Sequence, residues 1–487
     1  MEDILTPPNL DFNRITNHHS NVKMIIHIAK TVIISILYIV VTRRAAAHLG
    51  QQHIQPETTA ASKVVPRHDH DYDVIIIGGG ITGLATAAAL IHREKIPQQR
   101  ICIIEKSNEI RPRGSTIDLF PNGLVALESI SSELADAVCA SGIQARGSIR
   151  KYLNSDVEEK IEAPNLDETD PGSHTVAWYL LQEHLLAMVP DGVIQFGKVL
   201  HSIEMDHDDS SDIADEQEII VCYRDRQSDI MHEATCRVLI GADGIKSTVR
   251  DILFPSYREN NDANHNLNQK MFHATLRRDE LDGTVQSIPP EGYTVTYRCE
   301  EINRVFTIRQ LAQDVFGFTC AVTPADGTEE IADEDANPDA TKGKLMEYLK
   351  DYPLDIQQWI DVVNPKAIYE NNVCDIEVPD RWSRGACVII GDAAHTMLPS
   401  LGHGANIGLE DSTELAAIIG SVLKGDNNGS AAEIRNALEI FWKRRIERVK
   451  RIYAVSRENI NGSKVDAEFR GWVYGWQPSF GGKVQRL

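Results

Sequence analysis

The sequence predicts an α/β protein in which a parallel sheet is interwoven with a second, mixed sheet and followed by a C-terminal helix. Three observations carry that expectation. A short apolar run opens into a glycine-rich turn and a helix-forming stretch three times, at YDVIII-GGGITG-LATAAAL, RVLIGAD-GIKS-TVRDILF and ACVIIGD-AAHTMLPSLGHGAN-IGLEDSTELAAII. Near-continuous β-branched runs of this kind suit strands buried on both faces of a parallel sheet. Between the second and third lie four runs with period-two alternation, KMFHATLRR, GYTVTYRCE, RVFTIRQLA and FGFTCAVTP, as expected of half-buried strands. Residues 432–457 then place Ile434, Leu438, Phe441, Ile446, Val449 and Tyr453 on one broad apolar side of a helix.

Composition narrows the function classes. The chain has 487 residues, a length that suggests about three domains. Its 49 Lys and Arg stand against 71 Asp and Glu, a net charge of −22, which argues against a nucleic-acid partner because phosphate neutralisation needs a basic face. Acidic runs at Glu204–Glu218 and Glu329–Asp339 read as solvated loops. The eight cysteines form no C-x-x-C pair and support neither a zinc site nor a disulfide framework.

The first 70 residues differ from the rest. Residues 31–42 form an uncharged apolar run, and extension back to Met24 admits His27 and Lys30. Arg43 and Arg44 follow at once, a placement that would leave the main body on the cytoplasmic side of a membrane. Attachment to a membrane through residues 24–42, by a signal anchor or a surface helix, and a processed segment that targets an organelle are both open. Residues 45–70 read as a polar linker.

In the first glycine turn, Gly78, Gly80 and Gly83 satisfy G-x-G-x-x-G between a strand and a helix. Gly78 permits the turn, Gly80 lets backbone approach a pyrophosphate, and Gly83 allows close helix–strand packing. The helix N-terminus favours the phosphate charge. Glu105 ends the next strand, RICIIE, 22 residues on, where a carboxylate accepts from both ribose hydroxyls of an adenosine. This Rossmann-like pattern by itself leaves FAD and NAD open.

The second and third turns add Asp243-Gly244 in D-G-x-x-S-x-x-R and Gly391-Asp392 before a long helix. Taken in order, the three motifs resemble those of the class A (single-component) flavoprotein monooxygenases, the para-hydroxybenzoate hydroxylase superfamily, over about four fifths of the chain, from 72 to 415 and beyond. The resemblance implies a GR2-type FAD-binding domain and a set of FAD contacts. Glu105 would hold the adenosine ribose, and Arg113, with Thr116 after it, would lie along the FAD. Asp243 and Gly244 would approach the pyrophosphate, and Asp392 the ribityl chain. Pro399 would lie over the isoalloxazine, with the backbone of Gly402, Gly404, Ala405 and Asn406 at its pyrimidine edge. A helix N-terminus there would stabilise negative charge on the reduced ring. Departures are His403, where relatives usually carry Gln, and Trp178, where the pattern often has an Arg; Gln182, four residues on, is retained. His395 reads as support for its loop, since the sequence shows it no partner acid.

The implied division is an N-terminal segment and linker (1–70); FAD-binding parts at 71–171, 226–264 and 379–430; substrate-domain parts at 172–225 and 265–378; and a C-terminal helix and tail (431–487). The implied activity uses NAD(P)H to reduce FAD and O2 to form a flavin C4a-hydroperoxide, delivering one oxygen atom to an aromatic ring or alkene of a small aromatic or terpenoid-like substrate. His273, Tyr293, Tyr297, Arg309 and Phe318 are candidates for the substrate side, each more readily explained as a sheet-face residue, and no catalytic base emerges. A flavin reductase of prenyl double bonds and a non-catalytic lipid-binding or escort protein are the alternatives. No second G-x-G-x-x-G, Walker A lysine, H-E-x-x-H or W-x-W-x-I-P occurs, and nothing suggests a metal. The basic cluster Lys443–Arg451 fits a packing helix with a solvated face better than a membrane surface.

Overall fold

The computed structural model describes residues 70–479 apart from short stretches at 111–115, 154, 156, 163–171, 206–217, 261–264, 282, 284, 286, 300–303, 325–336, 425–428 and 460–464. All described residues belong to one compact unit. The apolar run at 24–42, Arg113 and most of both acidic runs lie outside them.

Five parallel strands form the centre of the first sheet, in the order Cys387–Ile389, Met231–Gly241, Tyr72–Ile77, Ile101–Glu105 and Ile194–Phe196. Val74, Ile75, Ile76, Val238, Leu239, Ile240 and Val388 are fully buried, in one core with helices Ile81–Ala88 and Gly404–Leu423 and with strands Lys198–Met205 and Ile219–Asp225. Each such side chain contributes about 1.5–3 kcal/mol by leaving water, which offsets the cost of closing loops between distant segments. Carboxyl ends of the strands at Ile77, Glu105, Gly241 and Ile389 come together at one edge, where an open α/β sheet binds its ligand. An antiparallel extension, Lys198–Met205 with Ile219–Asp225, continues from Met231–Gly241.

The second sheet orders its strands Tyr369–Asp375, His265–Arg277, Val315–Val322, Arg304–Ala312, Tyr293–Cys299, Gly147–Tyr152 and Glu158–Glu162. Phe272, Phe306, Phe316 and Phe318 point to one face, against Leu345, Leu349 and Trp359 of helices Pro338–Leu349 and Leu354–Val362. A small third sheet joins Thr116–Leu119, His174–Ala177 and Ile143–Gln144.

Strand membership differs from the sequence boundaries in two places. Gly147–Tyr152 and Glu158–Glu162, expected with the FAD-binding part at 71–171, pair in the second sheet. Ile194–Phe196, Lys198–Met205 and Ile219–Asp225, expected with the substrate part at 172–225, pair in the first. Motif positions mark where a ligand sits, whereas register decides which sheet a strand joins, and register was not readable from these short runs.

The helix expected at 432–457 spans Ala431–Glu458, with Ser430 accepting from Glu433 N and the Glu433 side chain returning to Ser430 N. Among the described residues, no helix is long and apolar enough to cross a membrane.

Candidate active site

The three glycines of the first turn have different physical roles. Gly78 has φ +108°, and a Cβ there would lie 2.4 Å from the Ala242 carbonyl. A Cβ on Gly83 would lie 2.0 Å from the Gly78 carbonyl, so the fold itself excludes a side chain at both. Gly80 has an ordinary φ of −75°, and a Cβ would meet nothing within 4 Å. The space beside it belongs to a cleft of about 440 Å³. Helix Ile81–Ala88 begins here with no side-chain cap and no acid in its first turn, leaving its N–H groups to an anionic ligand. Ser131, Ser247, Asn337, Ser430 and Asp466 cap other helices, while Pro121–Ile130, Trp178–Ala187 and Leu354–Val362 also lack a side-chain cap, so it is the position at the cleft beside Gly78 and Gly80 that distinguishes this N-terminus.

Glu105 and Gln182 shape this turn. Glu105 Oε2 accepts from Gly79 N at 2.6 Å, its Oε1 accepts from Ser107 N at 2.7 Å, and Gln182 Nε2 donates to the Gly79 carbonyl at 2.9 Å. Each Glu105 oxygen retains a further lone pair on the cleft wall, which suits a ribose diol.

Asp243, Gly244, Asp392, Gly404 and Ala405 line the same cleft with Gly78, Gly80 and Glu105. Asp243 accepts from Ser247 Oγ at 2.5 Å and Val249 N at 3.1 Å, and burial raises its pKa. Arg250 of the same motif donates to the carbonyls of Ala393 at 3.0 Å and Ile245 at 2.8 Å, joining the second motif to the third. Asp392 is exposed to the cleft, and the protein packed around its carboxyl raises its pKa against the opposing pull of His395. Helix Gly404–Leu423, like the first, starts without a side-chain cap or an acid in its first turn.

Of the remaining expected residues, Thr116, Gln182, Pro399, Gly402 and Asn406 are not among those that line this cleft. Asn406 is fully buried and structural: its Oδ1 accepts from Phe120 N at 2.9 Å, and its Nδ2 donates to the carbonyls of Asp118 at 2.9 Å and Gly402 at 3.2 Å. Gly402 has φ +68° and follows the exposed turn begun by Pro399. Thr116 opens strand Thr116–Leu119, whose Ile117 reaches the cleft. Trp178, at the start of helix Trp178–Ala187, lines the cleft with an aromatic face. Lys106, Lys198 and Lys246 also line it, although the sequence reading did not single them out.

His395 does have a partner acid, contrary to the sequence reading. Its Nε2 lies 2.5 Å from Asp411 Oδ2, both side chains fully buried. Asp411 also accepts from Gly391 N at 3.0 Å and Arg445 Nε at 2.7 Å. Arg445 and Arg448 both pair with the buried Glu410, which accepts from Asn122 Nδ2 at 2.7 Å. Burial pushes the Asp411 carboxyl up, but the His395 and Arg445 charges hold it below the usual carboxylate range. The helical spacing of Glu410 and Asp411 gave no hint that cations 34 or more residues away would neutralise them.

The cluster at Lys443–Arg451 is therefore largely consumed by packing. Arg448 and Arg451 lie over the Trp472 ring at 4.9 and 4.2 Å, and Lys450 pairs with Asp380 at 2.7 Å.

On the second sheet, alternation divides the five substrate-side candidates. Tyr293, Tyr297 and Phe318 belong to the helix-backed face, as sheet-face residues and not as ligand contacts. His273 and Arg309 take the opposite face. There the register aligns Thr296, Thr307, Thr319, His273 and Tyr369 in one row. Thr296 and Thr307 hydroxyls are 3.3 Å apart, and His273 Nδ1 is 3.2 Å from Thr319 Oγ1. Burial, with Arg309 beside it, pushes the His273 pKa down to about 4.

Two uncapped helix N-termini, a Cβ-sized gap over Gly80, a ribose-type carboxylate and a carboxylate in the cleft form a donor and acceptor set that fits FAD. The sequence profile of the FAD binding domain family matches residues 71–433. The chain belongs to the class A FAD-dependent monooxygenases, in the para-hydroxybenzoate hydroxylase-like superfamily.

Among relatives of this monooxygenase, the phenazine 1,6-dicarboxylic acid hydroxylase PhzS of Lysobacter antibioticus is 28% identical over 359 residues, covering 72% of this chain and 82% of the relative. Chloroplastic zeaxanthin epoxidase of Oryza sativa subsp. japonica is 25% identical over 398 residues, covering 79% of this chain but only 54% of the longer relative. The fold matches that of Klebsiella pneumoniae HpxO complexed with FAD and uric acid, with a TM-score of 0.62 and 21% identity over 83% of this chain and 93% of that one. FAD is the cofactor of this monooxygenase and NAD(P)H its reductant. The flavin supplies the redox and oxygen chemistry, while the chain binds it, orients it and sets the charge around it.

Proposed function

We propose that this monooxygenase inserts one atom of O2 into an aromatic ring or alkene of a small organic molecule, with NAD(P)H as electron source. The observation that carries the reading is the single cleft that gathers Gly80, Glu105, Asp243, Asp392, Gly404 and Ala405 from three separated motifs. The uncapped N-terminus of Gly404–Leu423 would stabilise negative charge on a reduced ring, a contribution made by fixed backbone dipoles. The activities named for the relatives, hydroxylation of a phenazine dicarboxylic acid and epoxidation of zeaxanthin, support a ring or alkene as the acceptor. Purified protein should be yellow, carry FAD and oxidise NAD(P)H faster when substrate is added. Colourless protein without flavin, or product lacking label from 18O2, overturns the reading; reduction of a prenyl double bond without oxygen incorporation would favour a reductase.

For the N-terminus, we infer attachment to a membrane through residues 24–42, supported by the apolar run and the Arg43-Arg44 pair that follows. Deletion of residues 1–70 should release the protein to the soluble fraction while flavin binding persists. Unchanged fractionation counts against attachment.

A further inference from the structure

The Asp118–Arg309 pair lies where the second sheet meets the cofactor elements. Asp118 follows Ile117, which lines the cleft, and turns its own side chain the other way, toward Arg309 of the second sheet, while its carbonyl accepts from Asn406 in the first turn of helix Gly404–Leu423. Arg309 comes from the ladder face of the second sheet, one row from His273 and the threonines. Its Nη1 reaches both Asp118 oxygens, at 3.0 and 2.9 Å, and Thr175 Oγ1 donates to Asp118 Oδ1 at 2.8 Å. The Arg309 side chain is 18% exposed and that of Asp118 33% exposed.

We propose that Asp118 is the specificity-determining residue of this monooxygenase, accepting a hydrogen bond from a hydroxyl of an uncharged substrate and disfavouring carboxylates. The inference rests on the monooxygenase reading above. A carboxylate offers about four lone-pair directions, of which Arg309 and Thr175 occupy three, so one remains for a ligand donor. On this side of the second sheet Arg309 is the cation that meets Asp118, and Asp118 already neutralises it, whereas Lys106, Lys198 and Lys246 line the cofactor cleft. A substrate carboxylate would have to displace Asp118 or approach its negative charge.

The neighbouring surface has the same character. His273 is uncharged at neutral pH, and its Nε2 has no hydrogen-bond partner among the described residues. Thr296, Thr307 and Thr319 offer hydroxyls that donate or accept. Arg298 shares this sheet face but lies two rows, about 13 Å, further along its strand than the level of Arg309.

The test uses FAD-loaded full-length protein and two probes of similar shape, 2-naphthol and 2-naphthoate, with binding read from the bound-flavin absorption spectrum. Wild type should bind 2-naphthol at least tenfold more tightly. Asp118→Asn removes the charge at constant size and frees Arg309, so the preference should move at least tenfold toward 2-naphthoate. Arg309→Gln, which leaves Asp118 charged, should move it the other way. A wild-type preference for 2-naphthoate, a ratio unchanged by both variants, or no response to either probe in flavin-loaded protein overturns the proposal. Failure to bind flavin at all would instead overturn the monooxygenase reading.

Discussion

Asp411 Oδ2 and His395 Nε2 are 2.5 Å apart, with both side chains fully buried beneath the loop that presents Asp392. Removing one member of a buried charged network strands the other and costs about 3–5 kcal/mol. Asp411→Ala should therefore lower the unfolding midpoint sharply and weaken FAD binding indirectly, through the Gly391 N–H it holds. Because the native carboxyl sits below its ordinary range, its contribution is complete above about pH 4 and is lost as pH falls further. Denaturant titrations of both proteins at pH 7 and pH 3.5 check this; a difference that fails to shrink at low pH contradicts the assignment.

Gly80 and Gly83 should separate ligand binding from folding. Gly80→Ala meets no protein atom, so the variant should keep its unfolding temperature as apoprotein yet lose FAD affinity by tenfold or more. Gly83→Ala would press on the Gly78 carbonyl and should unfold more easily even without flavin. Calorimetry of apoprotein with flavin titration distinguishes the two; equal behaviour would refute the division of roles.

His273 gives a second pH dependence. Its pKa of about 4 in the fold lies below the 6.5 of an open histidine, so between these values only the unfolded chain takes up the proton. Stability should fall as pH drops from 6.5 toward 4, by up to about 3 kcal/mol from this residue. His273→Gln should flatten that part of the stability profile. A profile of unchanged slope would show that His273 is not held neutral.

Asp392 opens into the cleft while its neighbours carry the fold. Asp392→Ala should weaken FAD binding by about 10- to 100-fold, the range for a hydrogen bond to a charged group, with little change in apoprotein stability. Equilibrium flavin binding by fluorescence quenching checks it, and a loss confined to stability would place Asp392 among the structural residues.

Much of the cofactor bed was legible because phosphate and ribose recognition forces particular residues to particular turns. Gly78, Gly83 and Glu105 are fixed by local geometry, and local geometry leaves a sequence signature. What the sequence hid depends on register and on pairs distant along the chain. Phe318 and His273 both lie in alternating strands, and only pairing shows which face each takes. Asp411 looked unremarkable because its partners, His395 and Arg445, sit on different elements. Asn406 was expected at the flavin through its backbone, and its side chain proved to hold Phe120 and Asp118 in place.

Ser479 N and Oγ both donate to Glu414 Oε1 at 2.8 Å, so the helix that begins at Gly404 is fastened from its far side by the closing residues of the described chain. The parallel sheet likewise waits for Cys387–Ile389 to join Leu239–Gly241. During synthesis, the adenosine-side elements leave the ribosome first, and those of the third motif follow about 300 residues later. The flavin bed is therefore complete only once the third motif has joined the sheet, and a chain cut before Ser479 should emerge from cells with less cofactor than one that keeps it.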